Sequence, residues 1–249
     1  MPVSQVPPSL PPPHNPLTMP QITQLFFDCD NTLVQSEEIA IEACADLVNT
    51  ILAAHNIPTR YTSDTLIEQF IGQKFRGMLH SLISIHNLTI PATEIERYVK
   101  AEENMVIRHL EAKAKACVGA TEVLSQLATD GQYGLAVVSS SAIRRVRVAL
   151  AKAGQDALIP SEHVFSAQTS LSKPASKPDP AVYLFAMEKL GVKPEQCVAV
   201  EDSKAGATSA CCANVPTIAY VGAYHGEKKQ KEIGELLVKV GCRKVMYNW

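Results

Sequence analysis

Two hydrophobic rhythms divide the chain. Between residues 36 and 112 the apolar positions recur at helical spacing, and no segment alternates with the period of a strand. Ile39, Ala43, Leu47 and Ile51 mark one face of a helix over 36–56; Ser36 stands where a cap is needed, and Glu37 and Glu38 fall in the first turn. Thr62 opens a second helix that Gly72 is expected to end, and further amphipathic stretches cover 74–86 and 92–112. Outside this zone short apolar runs alternate with helices. A strand over 22–27 comes first; from 117 onward the pattern predicts helix 119–130, strand 134–139, helix 142–153, a short strand at 163–166, helix 180–190, strand 197–201, helix 204–213 and strand 216–221. Residues 227–249 read as a helix and a final strand over 244–247. Gly131, Gly154 and Gly191 fall just past helix ends, as C-cap glycines do. The pattern predicts an α/β fold: a Rossmann-like, doubly wound parallel sheet with a small all-helical unit inserted after the first strand. The expected division is a proline-rich tail over 1–20, a core from 21–35 and 113–249, and the helical insertion over 36–112.

Composition narrows the function classes. The chain has 249 residues, enough to bury a full core, and a net charge of −2, which gives no reason to expect nucleic acid or an anionic membrane as partner. No apolar run approaches the roughly 18 residues of a membrane span. The first lysine or arginine is Arg60, so neither a secretory signal nor a mitochondrial leader fits, and a cytoplasmic monomer is expected. The prolines of 1–20 lack the flanking basic residues that would orient an SH3-type ligand, so this segment reads as a solvated tail. Seven cysteines show no CxxC pair, and Cys211 and Cys212 are adjacent; a reducing compartment fits better than a disulfide framework, and the spacing is wrong for zinc.

The chemistry gathers at the strand ends. The run Phe26-Phe-Asp28-Cys-Asp30-Asn-Thr32 ends a strand in two carboxylates, at the edge where α/β sheets bind ligands. Leu135-Ala-Val-Val-Ser139-Ser140 ends a strand in hydroxyls. Ser176-Lys177-Pro178-Asp179 places a lysine on a loop before a helix, and Cys197-Val-Ala-Val-Glu201-Asp202-Ser203 ends a strand in a second acid pair. Acid pair, hydroxyl, lysine and acid pair in this order resemble the haloacid dehalogenase (HAD) superfamily. The likeness is strongest to its phosphatase and β-phosphoglucomutase-like branch, and it covers residues 22 to about 222.

That resemblance implies a Mg²⁺-dependent phosphatase acting on a small phosphorylated metabolite such as a sugar or polyol phosphate. Asp28 would attack phosphorus and carry the phosphoryl group. Asp30 would protonate the leaving oxygen and then activate water. Lys177 would offset the repulsion between carboxylate and phosphate. Asp28, Asp30 through its backbone carbonyl, and Asp202 would hold Mg²⁺, with Glu201 beside them; an all-oxygen set suits this ion. Ser139 would bind phosphoryl oxygens, aided by N–H groups around Asn31 and Ser140. The insertion would act as a cap, with Lys74 or Arg76 touching substrate.

Some positions depart from the family pattern. Asn31 stands where glycine is usual but tolerates positive φ, Gln35 replaces a common Asp, and Ser139 replaces a frequent Thr. Ala40 falls where β-phosphoglucomutase relatives carry a cap histidine, which favours water over a sugar hydroxyl as acceptor. A phosphomutase, a prenyl-phosphate or terpenoid enzyme, a haloacid dehalogenase and a non-catalytic binding protein remain alternatives. Asp30 and the pair Glu201/Asp202 speak against the dehalogenase.

Overall fold

The computed structural model of the chain describes residues 21–70 and 73–249. The proline-rich tail and the helix stop expected at Gly72 lie outside the described residues. The first half contains β1 (Gln24–Phe27), β2 (Val34–Gln35), α1 (Glu37–Ala54), α2 (Ser63–Gln69), α3 (Phe75–Ile85), α4 (Ala92–Lys113) and β3 (Lys115–Ala116). Then follow α5 (Ala120–Asp130), β4 (Gly134–Ser139), α6 (Ile143–Lys152), β5 (Val164–Ser166), α7 (Ala181–Leu190), β6 (Cys197–Glu201), α8 (Lys204–Cys212), β7 (Thr217–Tyr220), α9 (Glu227–Val240) and β8 (Lys244–Met246).

Six strands form one sheet in the order β5-β4-β1-β6-β7-β8, and every neighbouring pair is parallel. Alternate residues of each strand face opposite layers. Phe26, Ala136, Val138 and Ala199 pack against α7 and α8 through Tyr183 and Ala210. Phe27, Val137 and Val200 pack against α5 and α6 through Leu124 and Leu150. Helices on both faces make this the doubly wound α/β fold expected from the alternation. Because β1 lies between β4 and β6, connections diverge at its C-terminal end and open a crevice there.

Helices α1–α4 hold a core of their own, built on Val48, Ile51, Leu52, Leu66, Leu79 and Leu82. The chain leaves and re-enters the sheet domain through β2 and β3, which pair antiparallel as Val34↔Ala116 and Gln35↔Lys115. Strands of two residues are too short to show a period, and the sequence pattern did not contain them. Gly131, Gly154 and Gly191 take φ of 63°, 72° and 66°, as helix-ending glycines should.

One helix start departs from expectation. Ser36 sits at the N-cap of α1 but makes no capping bond; its hydroxyl donates to the Asp30 carboxylate instead. A bond to an ionised acceptor is stronger than one between neutral groups, so the acid wins the hydroxyl.

Leu79 is 1% exposed in the helical core. Leu79→Ala is expected to cost about 2–5 kcal/mol, read from urea unfolding, since the cavity left behind adds to the lost transfer energy. A cost near zero would mean that the helical unit collapses around the gap.

Candidate active site

Lys177 reaches the crevice from the loop before α7 and is almost wholly buried. Its Nζ donates to Asp28 Oδ1 (2.6 Å), Glu201 Oε1 (2.6 Å) and the Val138 carbonyl (2.7 Å). These acceptors come from the ends of β1, β6 and β4, three adjacent strands. An ammonium has three protons, and all are spent. Glu201 is fixed from the other side, because the Tyr183 hydroxyl donates to the same Oε1. A side chain at Gly206 would collide with Glu201, since a Cβ there would lie 1.7 Å from Oε2.

The turn after β1 carries Asp30 back into the crevice. Asn31 takes φ 56°, the left-handed conformation expected of it. Its N–H, however, is donated to the Val34 carbonyl at 2.7 Å, and its side-chain amide to Glu37 at 2.6 Å. Closing the turn therefore takes the backbone N–H of Asn31 and one of its two amide protons, while Asn31 still lines the cavity. Three further bonds hold this loop: Leu33 O accepts from Cys117 N (2.8 Å) and Gln155 Nε2 (3.2 Å), and Thr32 O accepts from Trp249 Nε1 (3.0 Å). Asp30 itself accepts from the hydroxyls of Ser36 and Ser141, the latter at 2.7 Å.

The hydroxyl run divides its tasks. Ser139 is fully buried and its Oγ accepts from Ser141 N at 3.0 Å. Ser140 lines the cavity, and its Oγ accepts from Lys177 N at 3.0 Å. The cavity measures about 310 Å³ and lies between the strand ends and the first turns of α1, with Asp28, Asp30, Ser140, Lys177, Asp202 and Ala40 on its walls. Lys74 is outside it but spans the two units, donating to Ser176 Oγ at 3.1 Å. Arg76 is not at the site: its guanidinium is half-exposed and pairs with Glu96 on the helical surface. A neighbouring carboxylate on α4 captures it, and its position in the sequence could not reveal that partner.

Two lining residues had no signal in the sequence. Arg145, from the first turn of α6, sets its Nη2 3.7 Å from Asp30 Oδ1. Tyr224, from the loop after β7, donates to the Asp202 carbonyl at 3.2 Å. The serine run before α6 was the nearest clue to Arg145.

Residues 25–220 match the profile of the haloacid dehalogenase-like hydrolases. The chain belongs to that family. It is 29% identical over 214 residues to the 6-phosphogluconate phosphatase of Escherichia coli, covering 84% of this chain and 87% of that one. To the protein CbbY of Rhodobacter capsulatus it is 28% identical over 215 residues, 80% and 85% of the two chains. A HAD family hydrolase from Deinococcus radiodurans, solved with bound phosphate and sodium, superposes over 92% of each chain with a TM-score of 0.66 and 25% identity. As a member of the HAD-like hydrolases, the chain is an enzyme of the phosphoric monoester type.

Electrostatics in this HAD site favour a cation. Ligand oxygens of Asp28, Glu201 and Asp202 lie within 4.8 Å of one another. Burial pushes the Asp28 carboxyl up to about 7; Lys177 pulls it down, while Glu201 and Asp30 add to the rise. Burial, then Asp28 and Glu201, raise Asp202 well above the carboxylate range. Asp30 goes the other way: burial is outweighed by Arg145 and by the hydroxyls of Ser36 and Ser141, and its pKa falls. For Lys177, burial opposes the charge, but Asp28 and Glu201 overcome it and lift the pKa. Oxygen donors crowded in this way suit a hard divalent ion such as Mg²⁺.

Raised folded-state pKa values have a stability consequence in metal-free protein. Asp28 and Asp202 hold protons in the folded chain that the unfolded chain has released. The contribution of Asp28 is complete below about pH 4 and is lost as pH rises through about 7, and that of Asp202 is lost in the same direction. Asp202→Asn should therefore raise the melting temperature in chelator at pH 7.5, by roughly 2–4 °C per kcal/mol relieved. At pH 5 the gain should be smaller. A lower melting temperature at pH 7.5 would contradict the crowding.

Proposed function

We infer that the enzyme hydrolyses a small phosphorylated metabolite, of the sugar or polyol phosphate kind, through an aspartyl-phosphate on Asp28. The observation that carries this is the Lys177 bridge to Asp28 at 2.6 Å inside a cavity that also holds Asp30 and Asp202. Lys177 keeps Asp28 in place and lowers the repulsion that a phosphate dianion would meet. In the first step an Asp28 oxygen bonds to phosphorus, the ester P–O bond breaks, and Asp30 gives its proton to the leaving oxygen. In the second, water attacks phosphorus, Asp30 takes the proton, and the Asp28–phosphorus bond breaks. Without substrate Asp30 is ionised, the form that accepts a proton. An arriving dianion raises its proton affinity, which suits it to the first step.

Asp28, Asp202 and the Asp30 carbonyl would hold Mg²⁺, which when bound neutralises charge on the phosphoryl oxygens. Glu201 serves mainly to fix Lys177, since its Oε1 is shared by Lys177 and Tyr183. Ser140 lines the cavity and would offer its hydroxyl to phosphoryl oxygens, while Ser139 is fully buried at the end of β4. The helical unit acts as the cap, and the Lys74–Ser176 bond holds it against the core loop next to Lys177. Relatives named 6-phosphogluconate phosphatase and phosphoglycolate phosphatase support the substrate class. All seven cysteines are free thiols, which supports a reducing, cytoplasmic setting. No helix among the described residues is long and apolar enough to cross a membrane.

Ala40 lines the cavity, and its methyl group offers no hydrogen bond to couple cap closure to a sugar hydroxyl. Water is therefore the acceptor, and a phosphomutase is the second reading. Tested on p-nitrophenyl phosphate, the enzyme should release phosphate with Mg²⁺ and stop in excess EDTA. Asp28→Asn should be inactive, and Asp30→Asn slower by about 10²–10⁴-fold. Normal turnover by Asp28→Asn would rule out the covalent route. With glucose 1-phosphate, free phosphate should outrun isomerised sugar phosphate; the reverse would establish the mutase.

A further inference from the structure

Arg145 is the charged group that the hydrolytic cycle leaves unused. It stands on the cavity wall, with its side chain 22% exposed. Its Nε is buried with no hydrogen-bond partner, and its approach to Asp30, at 3.7 Å, is too long for a hydrogen bond. Both Asp30 oxygens are already served, one by Ser36 and one by Ser141. Glu37 and Glu102 stand close enough to interact with Arg145 through charge, yet no hydrogen bond joins either to it among the described residues. By contrast Arg144, one residue earlier, is engaged on the surface by Glu103 and Asn104. A guanidinium carries five donors in a planar fork, and leaving them unmatched in a buried position is costly.

The other cation of the cavity cannot take an additional anion, because the three protons of Lys177 are committed to Asp28, Glu201 and Val138. Among the described lining residues Arg145 is thus the one cation with donors to spare. It sits next to Asp30, the residue that protonates the leaving group, and lines the same cavity as Ala40 and Ile41 of α1.

We propose that Arg145 binds a second oxyanion on the substrate's leaving group, so that the enzyme selects phosphate esters carrying a carboxylate or a further phosphate over neutral sugar phosphates. This rests on the phosphatase reading above. Arginine suits the task because its fork takes a carboxylate or phosphate through two parallel bonds.

The test compares kcat/KM for 6-phosphogluconate, fructose 1,6-bisphosphate and glucose 6-phosphate in wild type, Arg145→Gln and Arg145→Lys, with p-nitrophenyl phosphate as the reference ester. Wild type should prefer at least one of the two substrates with an anionic tail to glucose 6-phosphate by roughly 10- to 100-fold, the worth of a charge-assisted pair. Arg145→Gln should bring that ratio close to one, and Arg145→Lys should fall between. Preference for 6-phosphogluconate alone identifies a carboxylate, and for the bisphosphate alone a phosphate. If rates fall in Arg145→Gln while the ratio stays at its wild-type value, Arg145 is only a counter-ion for Asp30 and the proposal is overturned. If wild type hydrolyses p-nitrophenyl phosphate but shows no preference, the proposal fails and the phosphatase reading stands. If no ester is cleaved, both fall. Calorimetric binding of the same three ligands to Asp28→Asn, with and without Arg145→Gln, gives the ratio again should Arg145→Gln turn over too slowly.

Discussion

The ammonium of Lys177, held between Asp28, Glu201 and a main-chain carbonyl, ties together the ends of three adjacent strands. Taking an ammonium and two carboxylates out of water costs several kcal/mol per ion, and replacement by apolar groups would often be no less stable. Such a triad is weak evidence for stability and stronger evidence for chemistry. It also sets requirements on what surrounds it. β1 must lie between β4 and β6, or the three acceptors cannot converge. Position 206 must lack a side chain, or Glu201 cannot seat. Tyr183 must be buried beneath the sheet with its hydroxyl toward Glu201, and it packs edge-on against Phe26 while doing so.

A second constraint acts on the turn after β1. The residues between Asp28 and α1 leave the sheet, reverse through Asn31 and pass into the helical unit within a few residues. The segment buries Cys29, Leu33 and Val34 in the core and closes on its own backbone, and it is held from outside as well. Cys117 from the returning chain, Gln155 after α6, and Trp249 each donate to its carbonyls. Trp249 also packs its ring at a tilt against Phe27 and Tyr220, and its Cβ would lie 3.1 Å from a Cβ at Gly119, where φ is 83°. The position of Asp30 is therefore set by residues far away in sequence. A change at any of them acts on the site through the loop carbonyls and not through contact with substrate.

This explains what could and could not be read from the sequence. The sheet was legible because strands buried on both faces are apolar throughout and alternate with helices of strong period. The four acids and Lys177 were legible because strand ends of a parallel sheet meet at one edge. Ser36 was misjudged: the capping rule knows only the local backbone, whereas an ionised Asp30 lay within reach. Arg76 and Arg145 show the same limit from opposite sides. Both are arginines in the first turn of a helix, and periodicity does not say that one will meet Glu96 at the surface and the other will face Asp30 in a cavity. Asn31 takes the conformation expected of it, and the positive φ that lets the chain turn also directs its own N–H onto Val34.

The charge balance at the strand ends gives these placements a common logic. The acids Asp28, Asp30, Glu37, Glu201 and Asp202 outnumber the two cations of the site, Lys177 and Arg145. Crowding raises Asp28 and Asp202, while Arg145 and the hydroxyls of Ser36 and Ser141 lower Asp30 itself. The acids are thus sorted by environment into a group that gains from a divalent cation and one that remains anionic without it. Lys177 cannot serve both groups, since its donors are filled on the Asp28 side. A second, separately placed cation is required on the Asp30 side, and α6 supplies it. Lys177 pairs with Asp28 and Arg145 stands beside Asp30, so under the proposal above charge would orient a substrate that is anionic at both ends.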